Sequence, residues 1–279
     1  MFEFIFHNSF NSRFFEINKK FLNFETTKIF IQSEKKNHLA YNEFNENNKK
    51  YNCDYLFVVN EAMKRLMNKN IAGKYIINGF FHNNDGPKIN LSNLKEKVVF
   101  ISQYRTFKKK NKNHNRQTIE DQFWKMKFSY DQFYQSDLLI AKQLKDYCDK
   151  ENIDFEIVGT SSKDKEGEKF FFSKVLGKNW KYVERHNNLK GYHLTQDAKF
   201  IATIDSTLGY ECFSRGQRVI FFSIRSNYLK HNYSIFGWPL NLPKEGLCWT
   251  TTNNLSNFKR LTNFLINGTN EEWDKLRNE

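Results

Sequence analysis

The chain has 279 residues, of which 39% are hydrophobic and 17% aromatic, a composition too apolar for a disordered protein and long enough for about two domains of ordinary size. Its net charge of +13 permits an anionic partner: nucleic acid, an anionic membrane surface or a phosphorylated ligand. Only three prolines and twelve glycines accompany abundant Lys, Asn, Phe and Ile, a bias that an AT-rich genome produces without selection on function.

In chain order, residues 1–6 are apolar but include Glu3 and are too short for a signal sequence, and no apolar run approaches about 18 residues. The sequence thus predicts a protein that is neither exported nor membrane-spanning. Short apolar runs read as strands at residues 28–32 (KIFIQ), 55–59 (YLFVV) and 75–78 (YIIN), with the polar stretch 33–50 a loop or exposed helix. Further strands are predicted at 98–102 (VVFIS), 155–158, 181–183, 200–204, 219–223 and 247–250. Between the first two of these, residues 119–150 repeat apolar positions (Phe133, Leu139, Ala141, Leu144, Tyr147) near helical spacing. Continuous apolar strands alternating with helices indicate an α/β fold whose mainly parallel sheet is covered on both faces. The regular alternation predicts a complete doubly wound domain over 96–279 and a short, incomplete α/β domain over 1–95. Cys53, Cys148, Cys212 and Cys248 lie far apart without a Cys-X-X-Cys pair, which argues against a zinc site or a disulfide framework and fits a reducing cytoplasm.

In open parallel sheets ligands bind beyond the carboxyl ends of the strands. Three such ends carry small, hydroxylated or charged residues: Ser102-Gln103-Tyr104-Arg105, Gly159-Thr160-Ser161-Ser162 and Asp205-Ser206-Thr207. The last group stands where a helix begins, so its backbone N–H groups and dipole suit a nucleotide phosphate, although Ser206 or Asp205 as a plain helix cap reads equally well. Glu211, one turn further, reads either as an acceptor for ribose hydroxyls or as a surface partner of Arg215. Gly209 is expected to admit close helix–sheet packing and Gly216 to cap the helix. His186 follows a predicted strand and reads as a phosphate or base contact, or as a solvent-facing histidine. The basic run at Lys108, Lys109, Lys110, Lys112, His114 and Arg116 is solvated unless it faces the cleft. The sequence has no GxGxxG, GxxxxGK[ST], HExxH, GxSxG or DxD motif, which leaves nucleotide chemistry without a metal.

The segments VVFISQYR (98–105), IVGTS (157–161) and IDSTLGYECFSRG (204–216), with the GFFHNN turn at 79–84, resemble bacterial surface-carbohydrate biosynthesis transferases of the GT-B fold. These are capsule and lipopolysaccharide enzymes related to CDP-glycerol glycerophosphotransferases. The resemblance spans roughly residues 50–270 and implies a metal-independent transfer of a sugar or related group from a nucleotide-sugar donor to a surface glycan or glycolipid acceptor. Donor binding then falls to Ser102, Gln103, Arg105, Gly159, Thr160, Ser161, Asp205, Ser206, Thr207 and Glu211 in the second domain. The first domain takes the acceptor side. The catalytic base is open, with His82 and Asp85 placed by position and His186 as a third candidate. No cofactor is implied, the setting is cytoplasmic with peripheral contact at the inner membrane face, and nucleic acid is not expected. Two alternatives stand beside this reading: a nucleotide-sugar-binding module without turnover, and a basic nucleic-acid-binding protein supported by charge alone.

Overall fold

The computed structural model describes residues 29–31, 51–80, 83, 86–104, 118–121, 126–160, 164–185, 190–229 and 235–278. The polar stretch 33–50 and the basic run 108–116 lie outside the described residues. The chain divides into two compact units, Met1–Asp85 with Gly237–Leu242, and Gly86–Phe236 with Pro243–Glu279. By contacts the first unit ends at residue 85, and the late segment Gly237–Leu242 belongs with it. Residues 86–94 lead straight into the second unit's first strand, where the Lys95 N–H donates to the Asp197 carbonyl at 2.7 Å. Trp238 in the returning segment packs against the first unit's core.

The first unit contains strands β1 (Ile29–Ile31), β2 (Tyr51–Val58) and β3 (Ile71–Ile77), parallel and in that spatial order. In β2 the buried residues are Tyr51 and Cys53, then Leu56 and Val58, so the period-two alternation slips by one residue. An irregularity in the pairing between Asn52 and Tyr55 absorbs that slip and keeps both pairs on the core face. Helix α1 (Glu61–Met67) connects β2 to β3, capped by Asn60, whose side chain accepts from the Met63 N–H at 2.9 Å. It adds Met63 and Met67 to a core completed by Ile71, with Tyr75 at its margin.

The second unit is built on β4 (Lys95–Ile101), β7 (Asp154–Val158), β8 (Lys181–Val183), β9 (Ala198–Thr203), β10 (Arg218–Phe222), β11 (Glu245–Gly246) and β12 (Trp249–Thr250). The spatial order is β11-β12-β10-β9-β4-β7-β8, parallel throughout apart from the antiparallel β11 edge. The chain starts in the middle at β4, winds outward through β7 and β8, then returns to the other side of β4 through β9, β10 and β12. This is the doubly wound order, and the winding reverses between β4 and β9. Residues 98–101 of β4 are all buried, as a strand covered on both faces requires.

The antiparallel pair β5 (Thr118–Asp121) and β6 (Met126–Ser129) occupies the start of the predicted 119–150 helix. Helix α2 instead spans Tyr130–Glu151, because Ser129 and Gln132 form a reciprocal capping box that fixes its start. Helix α3 (Lys165–Leu176) begins at Asp164, whose side chain accepts from the Gly167 N–H at 3.0 Å. Helices α4 (Lys190–Thr195), α5 (Thr207–Ser214), α6 (Arg225–Leu229), α7 (Leu255–Asn267) and α8 (Asn270–Asn278) follow. Adjacent residues of β10 assign the layers. Phe222 stacks on Phe258 of α7 at 5.6 Å, whereas Phe221 meets Phe213 of α5 at 6.4 Å on the opposite face. Phe100, aligned through Ala202 with Ile220 and hence on the α7 face, meets Phe172 of α3 at 6.1 Å. Gly209 allows α5 to approach the sheet, since a Cβ there would stand 2.7 Å from Thr203 Cγ2. Gly216, with φ of 93°, follows the last turn and closes α5.

Charges are concentrated at the amino ends of the strands. Lys97 pairs with Glu156 at 2.8 Å and Asp197 at 3.0 Å, while Lys181 reaches Glu156 and Lys95 reaches Asp197, each at 2.9 Å. Burial alone would lower the Lys97 pKa, but the hydrogen bonds it donates to Glu156 and Asp197 outweigh it and raise the value. Burial would likewise raise both carboxyls, and the lysine partners reverse this and lower them. A carboxylate depressed in the folded state contributes stability present above about pH 4, its unfolded range, and lost as pH falls through its folded value. Thermal melts taken from pH 7 down to 3 are expected to show this acid loss. Lys97→Ala, which leaves Glu156 buried with one exposed lysine, is expected to destabilise the protein by about 3 kcal/mol at pH 7 and to flatten the acid limb. Parallel melting curves for both proteins would refute the assignment.

Candidate functional site

The switch point of the second unit lies where β4 and β9 end side by side. Backbone bonds extend the pairing beyond the strands and line up the loops: the Ser102 N–H donates to the Val158 carbonyl, and the Gly159 N–H to the Val183 carbonyl, both at 3.0 Å. Ser102 is buried, and its Oγ accepts from the Tyr104 N–H at 3.1 Å, which turns the chain after β4. The Gln103 Oε1 then reaches across the switch point and accepts from the Asp205 N–H at 3.2 Å. Two of the three polar strand ends read from the sequence are therefore joined directly.

Helix α5 begins at this junction. Thr203 Oγ1 donates to the Ile101 carbonyl and accepts from the Ser206 N–H at 3.2 Å, which fixes the turn. Ser206 occupies the N-cap position, yet its side chain makes no capping hydrogen bond. The Asp205 carboxylate does not cap either; its Oδ1 accepts from the Tyr210 hydroxyl at 2.8 Å. The N–H groups of Thr207 and Leu208 consequently have no hydrogen-bond acceptor among the described residues. Uncapped N–H groups at the positive end of a helix dipole form a site for an anion.

The third strand end is held from below. Glu168 of α3 is fully buried and accepts from the Thr160 N–H at 3.0 and 3.1 Å and from the Tyr182 hydroxyl at 2.8 Å. A Cβ at Gly159 would overlap the Tyr182 phenol oxygen, so a side chain here would displace the Tyr182 ring from Glu168. The Lys165 ammonium donates to the Thr160 carbonyl at 2.7 Å and also to the Arg185 carbonyl. Burial, together with Glu168, pushes the Tyr182 phenol far above its ordinary pKa, so it remains a donor.

Glu211 is 6% exposed and accepts a hydrogen bond from Tyr192, so it lies inside the unit rather than in a surface pair with Arg215. It faces Arg185, whose guanidinium is lowered in pKa by burial while the Glu211 charge opposes that shift. Cys212 beside it has its thiol pushed up to about 12 by burial and is not a thiolate nucleophile.

Of the expected site residues, Ser102, Gln103, Gly159, Thr160, Asp205, Ser206, Thr207 and Glu211 thus sit at or just beyond the carboxyl end of the sheet. Arg105, Ser161, His82, Asp85 and His186 lie outside the described residues. Sequence reading missed Glu168, Arg185 and Arg225. Arg225 directly follows the strand RVIFF and Ser223-Ile224, so the strand-end rule applied once more would have reached it. Glu168 carried no such signal, because burying a carboxylate depends on the Thr160 amide after β7 and Tyr182 of β8 converging on it. Among the described residues no His, Cys, Asp and Glu group is placed to hold a metal, and no helix is long and apolar enough to cross a membrane.

Comparison with known proteins gives the fold and the family. The glycosylation-associated Gap123 complex of Streptococcus agalactiae aligns over 96% of this chain and 49% of its own, with a TM-score of 0.51 at 10% identity. Accessory secretory protein 1, 2 and 3 of Streptococcus pneumoniae aligns over 96% and 47%, with a TM-score of 0.50 at 9% identity. The chain thus spans about half the length of these structures, and at such identity the likeness concerns the fold. No curated protein matches its sequence. Residues 29–279 match the model of the family described as "putative O-antigen biosynthesis protein", and the chain belongs to that family.

Proposed function

We propose that the chain is a transferase that moves a sugar or related group from a nucleotide-activated donor to a surface glycan or glycolipid, with the second unit binding the donor and the first on the acceptor side. The observation that carries this reading is the uncapped start of α5 at the switch point, in a member of an O-antigen biosynthesis family. The donor diphosphate rests against the Thr207 and Leu208 N–H groups and the Ser206 hydroxyl. As the bond from the transferred group to the phosphate breaks, these donors stabilise the negative charge that develops on the leaving nucleotide. The acceptor hydroxyl gives its proton to a carboxylate or histidine, for which His82, Asp85 and His186 are the candidates by position. The net charge of +13 suits peripheral contact with an anionic membrane carrying a glycolipid acceptor.

A second reading, a donor-binding module that needs a partner chain for turnover, draws on the three described strands of the first unit's sheet against seven in the main sheet of the second. Nucleotide binding without donor hydrolysis or transfer in the presence of glycolipid acceptors would favour it.

The test is a thermal-shift panel of CMP, CDP, UDP and GDP. At least one nucleoside diphosphate is expected to raise Tm, and a cytidine preference would support the likeness to CDP-glycerol transferases. Ser206→Ala loses no capping bond, so the ligand-free protein should melt within about 0.5 kcal/mol of wild type while the nucleotide-induced shift falls. A full shift in that variant would place the phosphate elsewhere.

Glu211→Ala has a different expected signature. Removing the carboxylate opposite buried Arg185 is expected to cost about 3 kcal/mol of stability with or without nucleotide. If the variant instead melts normally and loses only nucleotide binding, Glu211 contacts the ligand and does not support the core.

A further inference from the structure

The Gln103 carboxamide is more constrained than a single bond across the switch point requires. Its Oε1 accepts from the Asp205 N–H at 3.2 Å and also from Arg225 Nη2 at 3.3 Å. Both partners are donors without acceptor capacity, so exchanging the amide oxygen and nitrogen would break both bonds, and the orientation is forced. The Nε2 amino group has no hydrogen-bond partner among the described residues, and it belongs to a half-buried residue directly after β4.

Arg225 is itself fixed from behind. The same Nη2 donates to Asp137 Oδ2 at 2.9 Å, and the guanidinium lies 4.5 Å from the Phe133 ring centre and 5.9 Å from that of Tyr134. Asp137 is fully buried on α2, and its Oδ2 also accepts from Ser136 Oγ at 3.1 Å. Its Oδ1 is buried and has no hydrogen-bond partner among the described residues. A buried ion pair whose carboxylate leaves one oxygen unused is a poor source of stability, since the desolvation of both charges is incompletely offset. It does hold the guanidinium in one place.

We infer that the Asp137–Arg225 pair is a positioning device that locks the Gln103 carboxamide with its oxygen turned to Asp205 and its NH2 presented to the oxygens of the bound nucleotide diphosphate. This rests on the donor-site reading above. Gln103 is the group that touches the ligand. Asp137 and Arg225 act through it, the first from α2 and the second from the start of α6, so two helices set the geometry of the loop after β4.

The experiment is a double-mutant cycle read by calorimetric titration of UDP and CDP into the full chain. Gln103→Ala is expected to weaken nucleotide binding about tenfold, as loss of a hydrogen bond to a charged group does. Asp137→Asn and Arg225→Lys are each expected to weaken it about fivefold in the wild-type background and less than twofold when Gln103 is already Ala. A general structural effect would give the same loss in both backgrounds, and that result overturns the inference, as does wild-type affinity in the folded single variants. Should Asp137→Asn fail to fold, Arg225→Lys, which retains the buried positive charge, carries the cycle. If Ser206→Ala weakens binding but Arg225→Lys does not, the positioning role alone is refuted. If wild type binds none of UDP, CDP and GDP, or Ser206→Ala binds as wild type does, the donor site falls and this inference with it.

Discussion

Everything at the carboxyl end of the second unit depends on β4 and β9 lying side by side while their continuations leave in opposite directions. β4 continues toward β7 and β9 toward β10, so neither loop covers the gap between them. A crevice is therefore a consequence of topology before any side chain is considered. Its width is held by the Gln103–Asp205 bond, which ties the two diverging loops at the point where they separate. The Thr203 hydroxyl supports the same junction from inside the sheet by bonding both the Ile101 carbonyl and the Ser206 N–H.

The two ends of this sheet handle charge in opposite ways. At the amino end, Lys97, Glu156 and Asp197 satisfy one another, with Lys95 and Lys181 closing the network, so nothing is left over for a ligand. At the carboxyl end two buried carboxylates, Glu168 and Glu211, are engaged by an amide and phenols that belong to the fold. Glu168 takes the Thr160 N–H and the Tyr182 hydroxyl, and Glu211 takes Tyr192. Burial and the neighbouring carboxylates push both phenols upward in pKa, so they stay protonated donors through the neutral range. What the start of α5 leaves over are the Thr207 and Leu208 N–H groups, donors without acceptors among the described residues, which is the condition for holding an anion.

The sheet was legible in the sequence because parallel strands buried on both faces are continuous apolar runs, and VVFI, FEIV, FIAT and RVIFF each became a strand. The start of α2 was read too early, since apolar spacing near Ile119 fits a short strand pair as well as a helix. The Ser129–Gln132 capping box, spaced as such boxes are, carried the missing information. Strand ends were legible as a set, but their partners were not. Asp137 lies 88 residues from Arg225 and Gln103 lies 102 from Asp205, and no local pattern links positions so far apart. The return of Gly237–Leu242 to the first unit had no local signal for a related reason, since it rests on the packing of Trp238.

The acidic residue at the start of α5 presents an apparent conflict, because a carboxylate beside a helix N-terminus competes with any anionic ligand for the same N–H groups. The local bonding resolves it. Asp205 donates its N–H to Gln103 and accepts at Oδ1 from the Tyr210 hydroxyl, so neither end of the residue occupies the Thr207 and Leu208 amides. Tyr210 is held in turn by stacking on Phe236 at 5.7 Å and packing on Phe221 at 4.5 Å, so the hydroxyl that restrains the carboxylate is anchored in the aromatic layer beneath α5. A residue that would ordinarily cap the helix is thereby used to brace its first turn, and the cap position is left to be filled from outside.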